Sequence, residues 1–124
     1  MFELTINDTV YQFKFGIGFV RAINKAAQMP VTGVPGAIQE VGLALAVTKV
    51  LDGDVIALID ILELANKGYE PRITKKILED HIDSEDTNID ELFNEVADFL
   101  EKANATKKIT QKMKEVAEQQ EETA

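Results

Sequence analysis

Phe2, Leu4 and Ile6 alternate with Glu3 and Thr5; after Asn7-Asp8-Thr9 the alternation resumes, with Tyr11, Phe13 and Phe15 set against Val10, Gln12 and Lys14. Period-2 patterning on both sides of an Asn-Asp turn predicts a β-hairpin over residues 1–15 with one apolar, aromatic face. A lone hairpin is marginal in water, so this face is expected to pack on the helices that follow. Four of the six phenylalanines lie in the first nineteen residues and read as core in preference to a ligand platform.

Gly16-Ile17-Gly18 breaks the strand, and the period lengthens: Phe19, Ile23, Ala26 and Ala27 share one face of a helix expected over residues 19–29, with Arg21 and Lys25 off it. Met29-Pro30-Val31-Thr32-Gly33-Val34-Pro35-Gly36 reads as a loop on its proline and glycine content. From Ala37 to Asn66 the chain reads as two apolar helices parted by Leu51-Asp52-Gly53-Asp54, where Gly53 closes one and Asp54 caps the next. On a wheel, the apolar positions from Val55 to Lys67 span roughly 220°, against the stripe of about 100° that one core contact requires. Asp60, Glu63 and Lys67 form a polar strip, and Ile56 lies inside it. Such a helix needs cover on more than one side, from its own chain or from a neighbouring copy.

Gly68-Tyr69-Glu70-Pro71 ends that helix, and Thr74 is placed to cap a short one carrying Ile77, Leu78 and Ile82. After the polar turn Asp83-Ser84-Glu85-Asp86-Thr87, either Thr87 or Asn88 caps a helix whose stripe is Ile89, Leu92, Phe93, Val96, Phe99, Leu100 and Ala103. Opposite that stripe stand Asp90, Glu91, Asp98 and Glu101, with Glu95 on the flank. Beyond Thr106 the apolar signal thins to Ile109, Met113 and Val116, and from Glu118 the composition is that of a disordered end. The expected fold is mainly α (α+β): an N-terminal β-hairpin packed on a bundle of about five helices, with a flexible C-terminal tail. One globular domain over residues 1–104 holds the hairpin (1–15) and the helical part (18–104), and residues 105–124 form a weakly helical to disordered tail.

Composition narrows the function. A chain of 124 residues with 45% hydrophobic content suits one core. It has no cysteine, which excludes disulfide frameworks, thiolate metal sites and thiol nucleophiles. The start carries no basic and apolar signal-peptide pattern, and no uninterrupted apolar run reaches the roughly 20 residues of a membrane span, so a soluble, intracellular protein is expected. The net charge of −9 is concentrated. Residues 79–101 hold ten acidic side chains and no Lys or Arg, while residues 1–78 are balanced at eight of each sign. A phosphate backbone would be repelled there, which speaks against nucleic acid as a partner.

Catalytic patterns fail on the residues available. His81 is the only histidine, so any triad or histidine metal cluster would have to use it. Asp83 to Asn94 has acidic groups at the first and third places of a calcium loop, but Asn88 stands where glycine is needed and Asn94 where a bidentate Glu is needed. Gly16-x-Gly18 lacks the third glycine of a dinucleotide loop, having Arg21 there, and no Gly-Lys-Ser/Thr follows. Asp60 and Glu63 read as a solvent-facing strip or as partners of Lys67 before they read as an acid–base pair. No catalytic, cofactor-binding or metal-binding residue is assigned. Ile56, Ile61 and Leu64 lie at or beyond the edge of the face that one core requires and are expected at a contact between copies. Asp90, Glu91, Asp98 and Glu101 form either a solvated face or a surface for a basic partner.

The ordered series Phe2-Glu3-Leu4-Thr5-Ile6-Asn7, Tyr11-Gln12-Phe13-Lys14-Phe15-Gly16-Ile17-Gly18-Phe19 with Arg21, Ile23 and Asn24, Val31-Thr32-Gly33-Val34-Pro35, Asp54 to Leu62, Ile89-Asp90-Glu91-Leu92-Phe93 and Ala105-Thr106-Lys107-Lys108 resembles one family over nearly the whole chain. These are the tail assembly chaperones of long-tailed (siphovirus-type) bacteriophages and prophages of Gram-positive bacteria. The resemblance implies a non-enzymatic protein that self-associates, often in spirals, around the tape measure protein and keeps it soluble. It further implies recruitment of tail tube protein, in some members through a longer frameshifted form, in the host bacterial cytoplasm and with no place in the mature virion. No cofactor is implied. Two other readings remain open: an acidic DNA-mimic inhibitor, and a small helical adaptor or enzyme subunit using Asp60, Glu63 or His81.

Overall fold

Asn7 and Asp8 both take left-handed backbone angles, with φ of 51° and 65°. This is the geometry that lets a two-residue loop join strands of right-handed twist. They close β1 (Phe2–Ile6) onto β2 (Thr9–Phe13) in the register Phe2↔Phe13, Leu4↔Tyr11 and Ile6↔Thr9. In this computed structural model, which describes residues 1–123 and the side chains of 1–120, the hairpin is the first layer of a mainly α fold. Phe2, Ile6, Tyr11 and Phe13 are buried on one face, and the Phe2 ring lies 5.1 Å from that of Phe99. Phe15 and Phe19 meet edge to face at 5.3 Å, so the N-terminal phenylalanines are core.

Six helices follow among the described residues: α1 (Ile17–Asn24), α2 (Gly42–Leu51), α3 (Val55–Ala65), α4 (Lys75–Asp83), α5 (Ile89–Lys102) and α6 (Lys107–Thr123). The capping residues do what their chemistry suggests. Asp54 accepts from the Ala57 amide at 3.0 Å, Thr74 from Ile77 at 3.2 Å and Asn88 from Glu91 at 3.1 Å, each satisfying an amide that the first turn leaves unpaired. Gly53 at φ 84° and Gly68 at φ 93° supply left-handed turns after α2 and α3. Thr87, the other capping candidate, instead donates to the His81 carbonyl at 2.6 Å and closes the end of α4.

Two elements differ from expectation. The helix expected over residues 19–29 stops at Asn24, whose side chain accepts from the Leu43 amide at 3.0 Å and so caps α2 across the fold. The helix expected from Ala37 starts only at Gly42, where an added Cβ would stand 1.8 Å from the Ile23 carbonyl oxygen. Between them β3 (Gln28–Pro30) and β4 (Ile38–Glu40) pair antiparallel as a second hairpin, replacing a helix end, a loop and a helix start.

The expected tail also differs. α6 packs along α2 and α5, with Thr106 and Thr110 fully buried. Their hydroxyls donate to the Leu100 carbonyl at 2.6 and 3.2 Å, at the end of α5 where helix carbonyls lack partners. Ala124 and the side chains from residue 121 on, part of the expected disordered end, lie outside the described residues. The core is continuous from β1 and β2 to α5, and α2 touches α1, α3, α5 and α6.

A buried polar group joins the layers. Asn66 is fully buried; it donates to the Gln12 carbonyl at 2.9 Å and the Pro71 carbonyl at 3.3 Å. Its carbonyl accepts from Ile73 N at 2.6 Å and from Arg72 at 2.9 Å. With Lys14 N donating to the Ala65 carbonyl at 2.8 Å, it ties β2 to the end of α3. All its hydrogen-bonding capacity is used, which removes the desolvation cost of burying an amide.

Candidate protein interaction surface

The wide apolar face of α3 is largely consumed inside this chain. α1, α2 and α4 pack around it, and Ala57, Leu58, Ile59, Ile61, Leu62 and Ala65 are buried. Ile61 therefore belongs to this chain's core, since the wheel gives its angle but not the position of the helix that covers it. Ile56 is different: it is 62% exposed. Leu64 is half-buried.

Ile56 and Leu64 sit on a groove of about 390 Å³ between α1, α2 and α3. Ile23 and Ala57 contribute buried groups to it, Ala46 is half-buried, and Leu45 on α2 stands 44% exposed across from α3. Its charged groups are nearly balanced: Lys49 and Lys75 against Asp54, Asp60 and Glu63. Asp60 pairs with Lys75 at 3.3 Å and Glu63 with Arg72 at 2.8 Å, so the strip expected to face solvent or to pair with Lys67 takes its partners from the segment after α3. Leu45 and this pairing were not legible in the sequence, because both depend on how α2 and α4 cross α3.

The acidic ridge is partly neutralised. Asp98 pairs with Lys102 at 2.9 Å and Glu101 with Lys114 of α6 at 2.5 Å. The bond from Asp98 holds the Lys102 ammonium above its ordinary pKa. Asp90 and Glu91 occupy the first turn of α5, where the helix dipole favours negative charge. Together with Glu95 they form no ion pair among the described residues, and they remain an exposed carboxylate face.

His81 lines a separate cleft with Leu4, Ile6, Thr87 and Glu91, away from the groove that Asp60 and Glu63 line. Partial burial lowers its pKa below the ordinary imidazole value. No group of three His, Asp or Glu side chains is placed to hold a metal among the described residues. Asp83 ends α4 and Asn88 caps α5, so residues 83–94 do not form a single ion-binding loop. A further apolar cleft, missed in the sequence, lies where Met1, Ile17 and Phe99 meet the hairpin. No described helix is long and apolar enough to cross a membrane.

No curated protein and no solved structure matches the chain. A family model does: residues 3–115 match the phage tail assembly chaperone protein model. The match begins in β1 and ends in α6, taking in the groove and the ridge alike. This chain belongs to the phage tail assembly chaperone family.

Proposed function

We propose that the chain self-associates and holds the tape measure protein soluble while the tail of a long-tailed phage of a Gram-positive host is built. In this reading it works in the host cytoplasm, helps bring tail tube protein to the assembly, and is absent from the mature virion. The observation that carries the reading is Ile56, 62% exposed beside Leu45 and Leu64 on an apolar groove in a member of a chaperone family. An exposed aliphatic side chain on a groove with nearly balanced charge suits contact with another protein.

The carboxylate face of Asp90, Glu91 and Glu95 suits a basic segment of the tape measure protein, leaving the groove for contact between copies. The DNA-mimic reading draws less support, since Asp98 and Glu101 already carry lysine partners. An enzyme-subunit reading using Asp60, Glu63 or His81 draws less support, since Asp60 and Glu63 carry cationic partners and His81 lines a separate cleft. Replacing Ile56 and Leu64 together by Asp is expected to leave helix content intact and to convert the assembled protein to monomer in sedimentation velocity. Unchanged sedimentation would overturn self-association through this groove. Tape measure binding that does not weaken with added salt would overturn the role given to the acidic face.

A further inference from the structure

From residue 24 to residue 41 no side chain is buried. β3 and β4 pair with each other and form an arm that stands off the helices, with Met29 48%, Val34 52% and Ile38 63% exposed. By the register, Pro30 and Ile38 share one face and Met29 lies on the other. A two-stranded hairpin with apolar groups on both faces and at its tip, and no core beneath it, is marginal in water by itself. Both of its outer edges are also open to pairing. Yet the arm is well formed: Val31 N donates to the Ala37 carbonyl at 3.0 Å and Val41 N to the Ala27 carbonyl at 2.9 Å.

Charge points to the occupant. Residues 26–39 carry no charged side chain, in a chain of net charge −9. Two copies of so acidic a chain repel except where uncharged surfaces meet, and the arm is such a surface. The groove, with two lysines against three carboxylates, is a second near-neutral apolar surface, and unlike the cleft at Met1, Ile17 and Phe99 it adjoins the arm. Glu40 at the end of β4 is the one charged side chain within the two strands, and beyond it a basic or acidic partner would find nothing on the arm to pair with. Arm and groove are also contiguous, since Ala26, Ala27 and Gly42 line the groove and bracket the arm. A copy that receives an arm in its groove still presents its own arm beside it.

We propose that the β3–β4 arm of one copy seats in the α1–α2–α3 groove of the next, a head-to-tail contact that propagates. This rests on the self-association reading and names the element that fills the groove. Heterologous contacts of this kind yield rings or open helical assemblies rather than closed two-fold dimers.

The full-length chain has no native cysteine, which makes disulfide trapping clean. An Ile38→Cys chain mixed with an Ile56→Cys chain is expected to give the mixed disulfide dimer far in excess of either like pair. In sedimentation velocity, Ile38→Asp and Ile56→Asp should each be monomeric, and their mixture should give a dimer and nothing larger. Both positions are more than half exposed, and unchanged circular dichroism verifies folding. Ile38→Asp assembling like the unmodified chain while Ile56→Asp does not would overturn the arm as occupant and leave self-association through the groove standing. Cross-linking only of Ile56→Cys with itself would likewise replace the arm by a groove-to-groove contact. An unmodified chain that stays monomeric at every concentration would overturn both readings. An Ile38→Asp chain whose only loss is binding to tape measure protein would overturn the arm-in-groove contact alone and make that protein the arm's partner.

Discussion

The two hairpins of this chain have the same local form and opposite surroundings. β1–β2 turns at Asn7-Asp8 and presses Phe2, Tyr11 and Phe13 into the core; β3–β4 has no buried residue on either face. The first is tied to α3 by Asn66 and by the Lys14 amide, while the second is held by its own ladder and by its anchorage at α1 and α2. Backbone hydrogen bonds alone leave a hairpin marginal, and what completes it is a covered face. For β1–β2 that cover comes from within the chain. For β3–β4 it has to come from another molecule.

The contrast is broken most strongly at Phe13, which is fully buried. Phe13→Ala is expected to lower the stability of the monomer by about 3–5 kcal/mol in denaturant titration. Ile38→Ala, in the other hairpin, should stay within about 0.5 kcal/mol of the unmodified chain. Equal losses would mean that the arm is part of this chain's own core.

Asn66→Ala sharpens the same contrast one step down. It leaves the Gln12 carbonyl and the Ile73 amide without their partner and should cost about 2–3 kcal/mol by the same titration, as expected for buried groups left unsatisfied. Asp54→Ala, which removes only the cap of α3, should cost about 1 kcal/mol.

The smallest effect is in pH. Burial holds His81 below its ordinary pKa in the folded chain, so the unfolded chain takes up that proton first. Stability should then fall as pH drops through and below the ordinary imidazole range near 6.5, and His81→Gln should flatten that slope. Because His81 lines the cleft beside Leu4 and Ile6, acid should loosen amides of β1 and leave those of β3 unchanged, as read by hydrogen exchange.

The first hairpin and the starts of α3, α4 and α5 were legible because their signals are local: alternation about an Asn-Asp turn, and a capping residue before each of the three helices. β3–β4 was not, because alternation marks a strand with one face buried, and this arm buries neither. Its proline and glycine content read as a loop, and the Ala26 and Ala27 period read as helix. α6 was read as a weakly helical to disordered tail, and its packing was missed for a different reason: Thr106 and Thr110 counted as polar in the pattern but are core positions whose hydroxyls are satisfied by the end of α5. Asn66 did leave a signal, a polar residue on the apolar face of α3, although its partners are distant in sequence. Ile56 was legible as an apolar intruder in a polar strip, while Ile61 at the edge of the same arc went into the core. Angular position separates those two only once the neighbouring helices are known.

Hydrogen exchange of the residue 28–40 amides, followed from low to high protein concentration, tests most directly whether the second hairpin is completed by another copy. Protection of Val31 and of its neighbours that rises with concentration, while β1–β2 stays protected throughout, is the expected result. Arm amides that exchange equally fast at every concentration while the protein is assembled would contradict it, and would leave the arm without the role proposed for it.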